Sequence, residues 1–236
     1  MRVLLSSFMM CCIVAGVFAQ TNTAETNSNL QSMSEGSGMF RTFDSRSKET
    51  KGSLKVFEDF LPGGITMNNG QEFEFSRMNY DGFYDAIIVI RKKQEQVVTT
   101  MMVKSFYIVD VTDTLHFDRL LRTDNRMGYY QRLTEGTNVR LYKKLFTTVQ
   151  QATYTGAYST GSTQAELIPG YAYYVQDGTL RPKEFKNKKM LFEMFPNEKE
   201  KLQQFVKENK TDFKKDKEVI ALIEYLDSIK QIMPSN

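Results

Sequence analysis

The sequence predicts an α+β protein: an antiparallel β-rich domain, either a sandwich or an open barrel-like sheet, followed by about three C-terminal helices. The first observation is a series of short runs rich in β-branched and aromatic residues, which are separated by turn signals and fill residues 54–186. The second is a change of apolar spacing at Asn187, from a period of two to one of about three and a half. Strands therefore precede helices, and residues 187–232 form a helical tail.

Residues 1–19 have the features of a secretory signal peptide. Arg2 supplies a positive start, residues 3–17 form an apolar run too short to span a bilayer comfortably, and Ala19 ends a small-residue cleavage site. Both cysteines, Cys11 and Cys12, lie in this segment, so the mature chain is expected to lack disulfides and cysteine metal sites. We expect an exported protein, in the periplasm or associated with the outer membrane, with no transmembrane segment after signal cleavage.

Residues 20–53 are polar, with many Thr, Asn, Ser, Gln and Glu. They predict a disordered leader, because such a segment cannot bury enough apolar surface to offset its ordering entropy. The formal net charge of the whole chain is +3, which is close to balanced. Composition therefore indicates neither a nucleic-acid partner nor an anionic membrane surface.

The β-rich part begins with Leu54–Phe60, whose alternating pattern predicts a strand that ends at Pro62-Gly63-Gly64. Asp177-Gly178 marks a hairpin between the last two strands. Residues 151–169, rich in Thr, Ser, Gly and Tyr, predict a long loop that is either functional or disordered. After a hairpin over residues 65–75, the remaining strands are predicted at 86–90, 97–103, 106–111, 115–117, 129–133, 139–149, 171–175 and 179–185.

The register of the first hairpin follows from its turn at Asn69-Gly70. A two-residue loop would place Ile65 opposite Glu74, whereas a three-residue loop that begins one residue earlier places Ile65 opposite Phe73. Only the second register keeps apolar side chains together on one face. We therefore predict the three-residue loop, with its glycine in the left-handed conformation.

Each helix of the tail has its own start signal. Asn187 is expected to cap the first helix, Pro196 to be the first residue of the second, and Asp216 to cap the third. Because an apolar stripe must be covered, we expect the tail to pack on the β-rich domain. The stripe of the third helix consists of Val219, Ile220, Leu222, Ile223, Leu226 and Ile229.

Several segments carry a resemblance to a known group of proteins. They are Gly64–Glu74 followed by Met78-Asn79-Tyr80, then Thr155–Thr160, Tyr173–Gly178, Leu191–Pro196 and Glu208–Phe213. With these segments, roughly residues 55–232 resemble an uncharacterised family of small exported Bacteroidetes envelope proteins that have a β-rich domain and a C-terminal helical tail. The resemblance implies an envelope location, and it transfers no activity and no catalytic residues.

The sequence shows little that could support catalysis. His116 is the one histidine, and without cysteines in the mature chain it lacks partners for a zinc site or a nucleophile pair. Alternation with Phe73 places Glu72 and Glu74 on the solvent side of their strand, outside the cleft that a glycosidase needs. The sequence contains no phosphate-binding loop, dinucleotide fingerprint or Ca²⁺ loop. We therefore predict no catalytic residue, no metal and no cofactor.

Tyrosines provide the candidate binding residues. They pack within strands, as tyrosines commonly do, or they form an adaptable contact surface for a protein or a sugar; the sequence leaves both interpretations open. Lysines 183, 186, 188 and 189 are expected to be solvated, with phosphate or lipid-headgroup binding as the minority interpretation. The candidate tyrosines cluster around residues 151–169 and are Tyr154, Tyr158, Tyr171, Tyr173 and Tyr174.

These features predict a non-catalytic exported envelope protein, which serves as a binding or assembly component in the periplasm or at the outer membrane. Its partner would be an envelope protein or a glycan. The alternative is a glycan-active hydrolase of the envelope, which a cleft with two converging buried carboxylates would favour.

We predict that the mature protein begins near Gln20, because the cleavage rule is satisfied immediately before it. N-terminal sequencing of the protein recovered from the cell envelope checks this prediction. An exported chain that still carries Met1 would contradict it.

Overall fold

The computed structural model describes residues 40–42, 50–151 and 164–231, with side chains for residues 50–151 and 164–230. Within these residues the predicted α+β class is confirmed: one antiparallel sheet of eleven strands is followed by three helices. The strands are β1 (Phe40–Thr42), β2 (Leu61–Met67), β3 (Glu72–Asp81), β4 (Ala86–Arg91), β5 (Gln94–Val98), β6 (Val103–Val109), β7 (Thr114–Leu121), β8 (Met127–Arg132), β9 (Val139–Gln150), β10 (Glu166–Asp177) and β11 (Lys183–Phe185). The helices are α1 (Lys188–Met194), α2 (Lys199–Asn209) and α3 (Asp216–Gln231).

The strand order is β1-β5-β4-β3-β2-β6-β7-β8-β9-β10-β11. Strands β2 to β5 therefore run outward to one side, and the chain then returns so that β6 pairs with the free side of β2. The returning connection is short, since only Thr99 and the 3₁₀ turn Thr100–Met102 separate β5 from β6.

This connection requires the sheet to curl. In a flat sheet β5 and β6 would lie four strand spacings apart, which is about 19 Å. The connection spans roughly 13 Å at most, because a 3₁₀ turn rises only about 2 Å per residue. Strand β5 must therefore bend toward β6, which gives this half of the sheet an open, barrel-like shape.

The curled half encloses an aromatic and aliphatic core. Phe106 and Phe117 stack in it at a centroid distance of 4.4 Å, and the Tyr80 ring lies 5.6 Å from that of Phe106. The core takes side chains from seven consecutive strands, β2 to β8. Its buried residues are Ile65, Met67, Phe73, Phe75, Met78, Tyr80, Ile87, Val89, Val98, Val103, Phe106, Ile108, Phe117 and Tyr129.

A second core lies between the three helices and the other half of the sheet. The apolar stripe of α3 packs there, with Leu222, Ile223 and Leu226 fully buried. The strands supply Val139, Leu141, Tyr173, Val175 and Phe185 to this core. An ion pair ties α3 to the sheet, because the Lys143 ammonium on β9 lies 2.7 Å from the Asp216 carboxylate.

The register predicted for the first hairpin is confirmed. Ile65 pairs with Phe73, and both side chains are buried. The loop is closed by the Met67 N–H, which donates to the Gln71 carbonyl at 2.8 Å. Gly70 has a φ of +85°, as the three-residue loop requires. The N-cap predicted at Asn187 is also confirmed, since its side chain accepts a hydrogen bond from the Met190 N–H.

Two predicted strands are wrong. Leu54–Phe60 is irregular and contributes only one isolated bridge, from Lys55 to Asp81. The Asn79 side chain instead accepts a hydrogen bond from the Phe57 N–H and donates to the carbonyls of Phe57 and Asp59. Strand β2 instead passes through Pro62-Gly63-Gly64, with Pro62 exposed beside a register shift, where a missing N–H is tolerated. The predicted strand 97–103 is not continuous. It spans the end of β5, the 3₁₀ turn and the first residue of β6.

The other differences are at segment ends and helix starts. Strand β1 pairs with β5 inside the stretch 20–53 that was predicted to be a disordered leader, and the rest of that leader before Thr50 lies outside the described residues. Helix α2 begins three residues after Pro196, which opens a turn instead. Asp216 does not cap α3; its carboxylate binds Lys143 and the Tyr173 hydroxyl. No helix in the described part of the chain is long and apolar enough to cross a membrane.

We predict that Leu222→Asp destabilises the whole protein, because Leu222 is 0 % exposed and the new carboxylate would have no partner there. The expected loss is about 3 kcal/mol or more in the free energy of unfolding. For a domain of this size that lowers Tm by roughly 6–12 °C. Thermal melting followed by circular dichroism measures the change.

Ala221→Asp is the matched control, since Ala221 is the exposed neighbour on the same helix. It introduces the same side chain without burying it. Equal melting temperatures for the two variants would contradict the packing of α3 on the sheet.

Candidate functional site

The candidate site is the loop between β3 and β4, residues 82–85, which we call the 82–85 loop. Charged side chains beneath it hold it in place. Phe83 and Tyr84 are exposed at its tip, at 44 % and 62 % of their surface. Their rings lie 4.9 Å apart, edge to face at 90°. Two adjacent exposed aromatic side chains are unusual in a short loop, where small and polar residues dominate.

The backbone of the 82–85 loop is fixed from three directions. Asp81, at the end of β3, accepts hydrogen bonds through Oδ1 from the N–H groups of Phe83 at 2.8 Å and Tyr84 at 2.9 Å. The Gly82 N–H donates to the Leu54 carbonyl at 3.0 Å, and the Gly82 carbonyl accepts from the Thr147 N–H on β9 at 3.1 Å. The loop tip is therefore anchored to β3, β9 and the segment before β2.

The far end of the loop is fixed by an ion pair between a buried lysine and a half-buried aspartate. Lys144 on β9 is only 6 % exposed, and its ammonium lies 2.7 Å from Asp85 Oδ1. The ammonium also donates to the Tyr80 hydroxyl oxygen at 2.8 Å and to the Tyr129 carbonyl at 2.9 Å. All three N–H donors of the ammonium are thus used, which a buried charge requires.

Asp85 is satisfied in the same way. Its Oδ1 also accepts from the Tyr80 hydroxyl at 2.5 Å and from the Tyr129 N–H at 3.2 Å. Its φ of +56° lies in the left-handed region, a conformation that favours Asn, Asp or Gly. The strained backbone points the carboxylate inward toward Lys144, and this leaves the two aromatic residues pointing outward.

Burial shifts the acid–base properties of these groups. Burial lowers the pKa of the Lys144 ammonium, and the adjacent Asp85 carboxylate opposes that shift. Burial raises the pKa of the Tyr80 hydroxyl, and the charge of Asp85 and its hydrogen bond raise it further. Burial also raises the pKa of Asp81, whose Oδ2 is buried without a hydrogen-bond partner in the described residues. Titratable groups of this cluster are therefore partly or fully desolvated beneath an exposed loop.

The five tyrosines predicted as binding residues do not form one surface in the described part of the chain. Tyr154 and Tyr158 lie outside the described residues. Tyr171 is exposed beside the Lys143 ammonium, which lies 4.3 Å from its ring centroid, whereas Tyr173 is buried against the helices. Tyr174 faces the opposite side of the sheet and contacts Tyr130 at a centroid distance of 5.0 Å. Alternation along β10 therefore keeps Tyr171 and Tyr173 on one face, where their ring centroids lie 5.4 Å apart, and places Tyr174 on the other.

The sequence analysis did not predict the 82–85 loop as a site, because none of its residues belongs to a recognisable local motif. Lys144 lies in a strand beside another lysine, and nothing near it in sequence announces Asp85 as its partner. A usable signal was present in Gly82-Phe83-Tyr84-Asp85, where two aromatic residues occupy a turn between predicted strands. The aromatic pair in a turn indicates exposure, because such positions are rarely buried.

Cavities lie elsewhere in the described residues. One of about 100 Å³ is lined by Leu180, Arg181 and Phe195, and another of about 290 Å³ by Gly136, Glu224 and Asp227. A third, open groove of about 560 Å³ lies beside Lys188, Lys207 and Lys210. Asp81 and Asp85 line none of these three. The described residues also contain no group of three or more His, Cys, Asp or Glu side chains that could hold a metal ion.

Comparison of the chain with protein-family models, curated proteins and solved structures gave no match.

We predict that Lys144→Met destabilises the protein by about 3 kcal/mol, the lower end of the cost of breaking a buried pair, because the Asp85 carboxylate, whose side chain is 21 % exposed, loses its cation. Urea denaturation measures the loss. The double variant Lys144→Met, Asp85→Asn should recover part of it, since both buried charges are then removed.

Lys104→Met is the control, because Lys104 is exposed on β6. Its effect should stay within about 0.5 kcal/mol. Equal effects of the two lysine variants would show that the buried ion pair does not hold this part of the fold.

Proposed function

We propose that this protein is a non-catalytic exported component of the cell envelope, which binds or assembles with another envelope protein through Phe83 and Tyr84. The proposal rests on one observation: a loop held by a buried ion pair presents two aromatic side chains to solvent.

The cluster that supports the 82–85 loop is costly to bury. Desolvating a lysine and an aspartate is unfavourable, and well-packed apolar residues are often as stabilising as a buried ion pair. A short polar turn could connect β3 and β4 without Lys144, Asp85 or the left-handed backbone of Asp85. The cluster is better explained by the loop conformation that it fixes than by the stability that it contributes.

The exposed aromatic pair also suits the energetics of protein–protein binding. Aromatic side chains are frequent among the residues that dominate protein–protein affinity, since they bury a large area and have few rotatable bonds. Fixing the loop before binding lowers the entropy lost on association. The geometry of the loop supports this, because Asp81 and Lys144 hold the loop at both ends.

The export part of the proposal is supported by the signal-peptide features of residues 1–19 and by the resemblance to exported envelope proteins. We place the protein in the periplasm or at the outer membrane.

No specific observation favours the hydrolase alternative. A glycosidase needs two carboxyls that converge on a cleft. Glu72 and Glu74 are exposed on the outer side of β3, and Asp81 and Asp85 are engaged by groups that hold the 82–85 loop.

We predict that a photo-crosslinking amino acid at Tyr84, introduced in cells, captures one discrete envelope protein. Mass spectrometry of the envelope fraction identifies it. Combining the crosslinker with Phe83→Ser should reduce the yield at least about tenfold, because the aromatic pair acts as one contact.

Leu180 is the matched control position, since it is also a highly exposed apolar residue in a turn, at 59 %. The same crosslinker at Leu180 should not capture that protein. Equal capture at both positions, or none at Tyr84, would contradict the proposal.

A further inference from the structure

A second surface lies on the outer side of the curled half of the sheet, away from the 82–85 loop. Four residues form a row across β3, β2, β6 and β7: Gly64 pairs with Glu74 on one side and Tyr107 on the other, and Tyr107 pairs with His116. Side chains in directly paired positions share a face and lie about 5 Å apart at Cβ. Glu72 lies two residues before Glu74 and therefore faces the same way.

This face is open to solvent. The residues that alternate with the row, such as Ile65, Phe73 and Phe106, point into the core and are buried. Glu72, Glu74 and His116 are exposed, and Tyr107 is half-buried. The row therefore lies on the outer surface of the sheet.

The outer end of the Tyr107 ring lies over Gly64 of β2. A Cβ on Gly64 would come within 2.6 Å of Tyr107 Cε1 and 2.9 Å of its hydroxyl oxygen. Only glycine at position 64 leaves room for the ring, and the half-buried Tyr107 keeps part of its surface open to solvent. An aromatic ring over a strand glycine also shields that glycine, which is its ordinary structural role.

The polar groups around the Tyr107 ring are not needed to shield Gly64. Burial raises the pKa of the Tyr107 hydroxyl, and the nearby charges of Glu74 and Glu72 raise it further. Among the described residues no lysine or arginine forms an ion pair with Glu72 or Glu74, so most of their acceptor capacity remains free.

We infer that Tyr107, Glu74, Glu72 and His116 form a binding site for an uncharged pyranose unit of a glycan. The C–H face of a pyranose packs on a flat aromatic ring, while its hydroxyl groups point outward in the plane of the sugar. Carboxylates beside the ring accept hydrogen bonds from those hydroxyls, and the imidazole supplies both a donor and an acceptor. The two carboxylates repel acidic sugars, which restricts the site to uncharged ones.

The site has no walls, so its affinity for one sugar should be weak. We expect a Kd of about 1 mM for a short oligosaccharide. This inference is independent of the protein partner proposed for the 82–85 loop.

The test uses the mature full-length chain and nuclear magnetic resonance titration. The probes are the neutral oligosaccharides cellohexaose, mannohexaose and xylohexaose, with oligogalacturonate as the acidic comparison. At least one neutral probe should shift the His116 ring protons, and oligogalacturonate should not.

Variants then separate binding from a structural role. Tyr107→Ala should weaken binding about tenfold or more, whereas Tyr107→Phe keeps the ring and should stay within about threefold. Glu74→Gln should weaken binding, and Phe83→Ser, which alters only the 82–85 loop, should not. A normal melting temperature is required of each variant that is compared.

Several results would overturn the inference. They are no shift with any neutral probe at about 10 mM, preferential binding of oligogalacturonate, or undiminished binding by a folded Tyr107→Ala variant. If Tyr107→Ala does not fold, undiminished binding by Glu74→Gln overturns it instead.

Discussion

The short connection between β5 and β6 is the constraint on which the rest of the architecture depends. Four residues, Thr99–Met102, join strands that a flat sheet would hold about 19 Å apart. Hydrogen bonds hold this turn in place: the Met101 carbonyl accepts from the Asn68 side chain at 2.8 Å and from Arg119 at 3.1 Å. The sheet must curl to meet it, and curling turns one face of β2 to β8 into an enclosed core.

The core and the candidate site share residues, so the curl of the sheet also determines the position of the surface loop. The Tyr80 ring packs among Phe106, Phe117 and Tyr129, while its hydroxyl binds Asp85 at the rim. Lys144 approaches the same hydroxyl from β9. The 82–85 loop is therefore positioned by side chains that are themselves fixed by core packing, and its conformation depends on the curl of the sheet.

Sequence predicted those features that depend on neighbours along the chain. The hairpin register followed from a glycine-containing turn and alternation, and the Asn187 cap followed from the first turn of its own helix. It failed where distant contacts decided the outcome. Val97–Val103 has strand composition, but the chain has to turn at Thr100 to reach β2. The turn between β4 and β5 was not visible because Lys92 and Lys93 both adopt positive φ, where Asn and Gly are usual. The Lys144–Asp85 pair joins residues 59 positions apart, and no local pattern predicts it.

We expect the 82–85 loop to be rigid although its aromatic side chains are exposed. Residue-resolved hydrogen exchange of the Phe83 and Tyr84 amides tests it most directly, because both amides donate to the buried Asp81 carboxylate. The exposed Lys93 amide in the β4–β5 turn is the internal comparison. The Phe83 and Tyr84 amides should exchange at least about 100-fold more slowly than that of Lys93, and Lys144→Met should remove most of this protection. Exchange of all three amides at similar rates in the parent protein would contradict it.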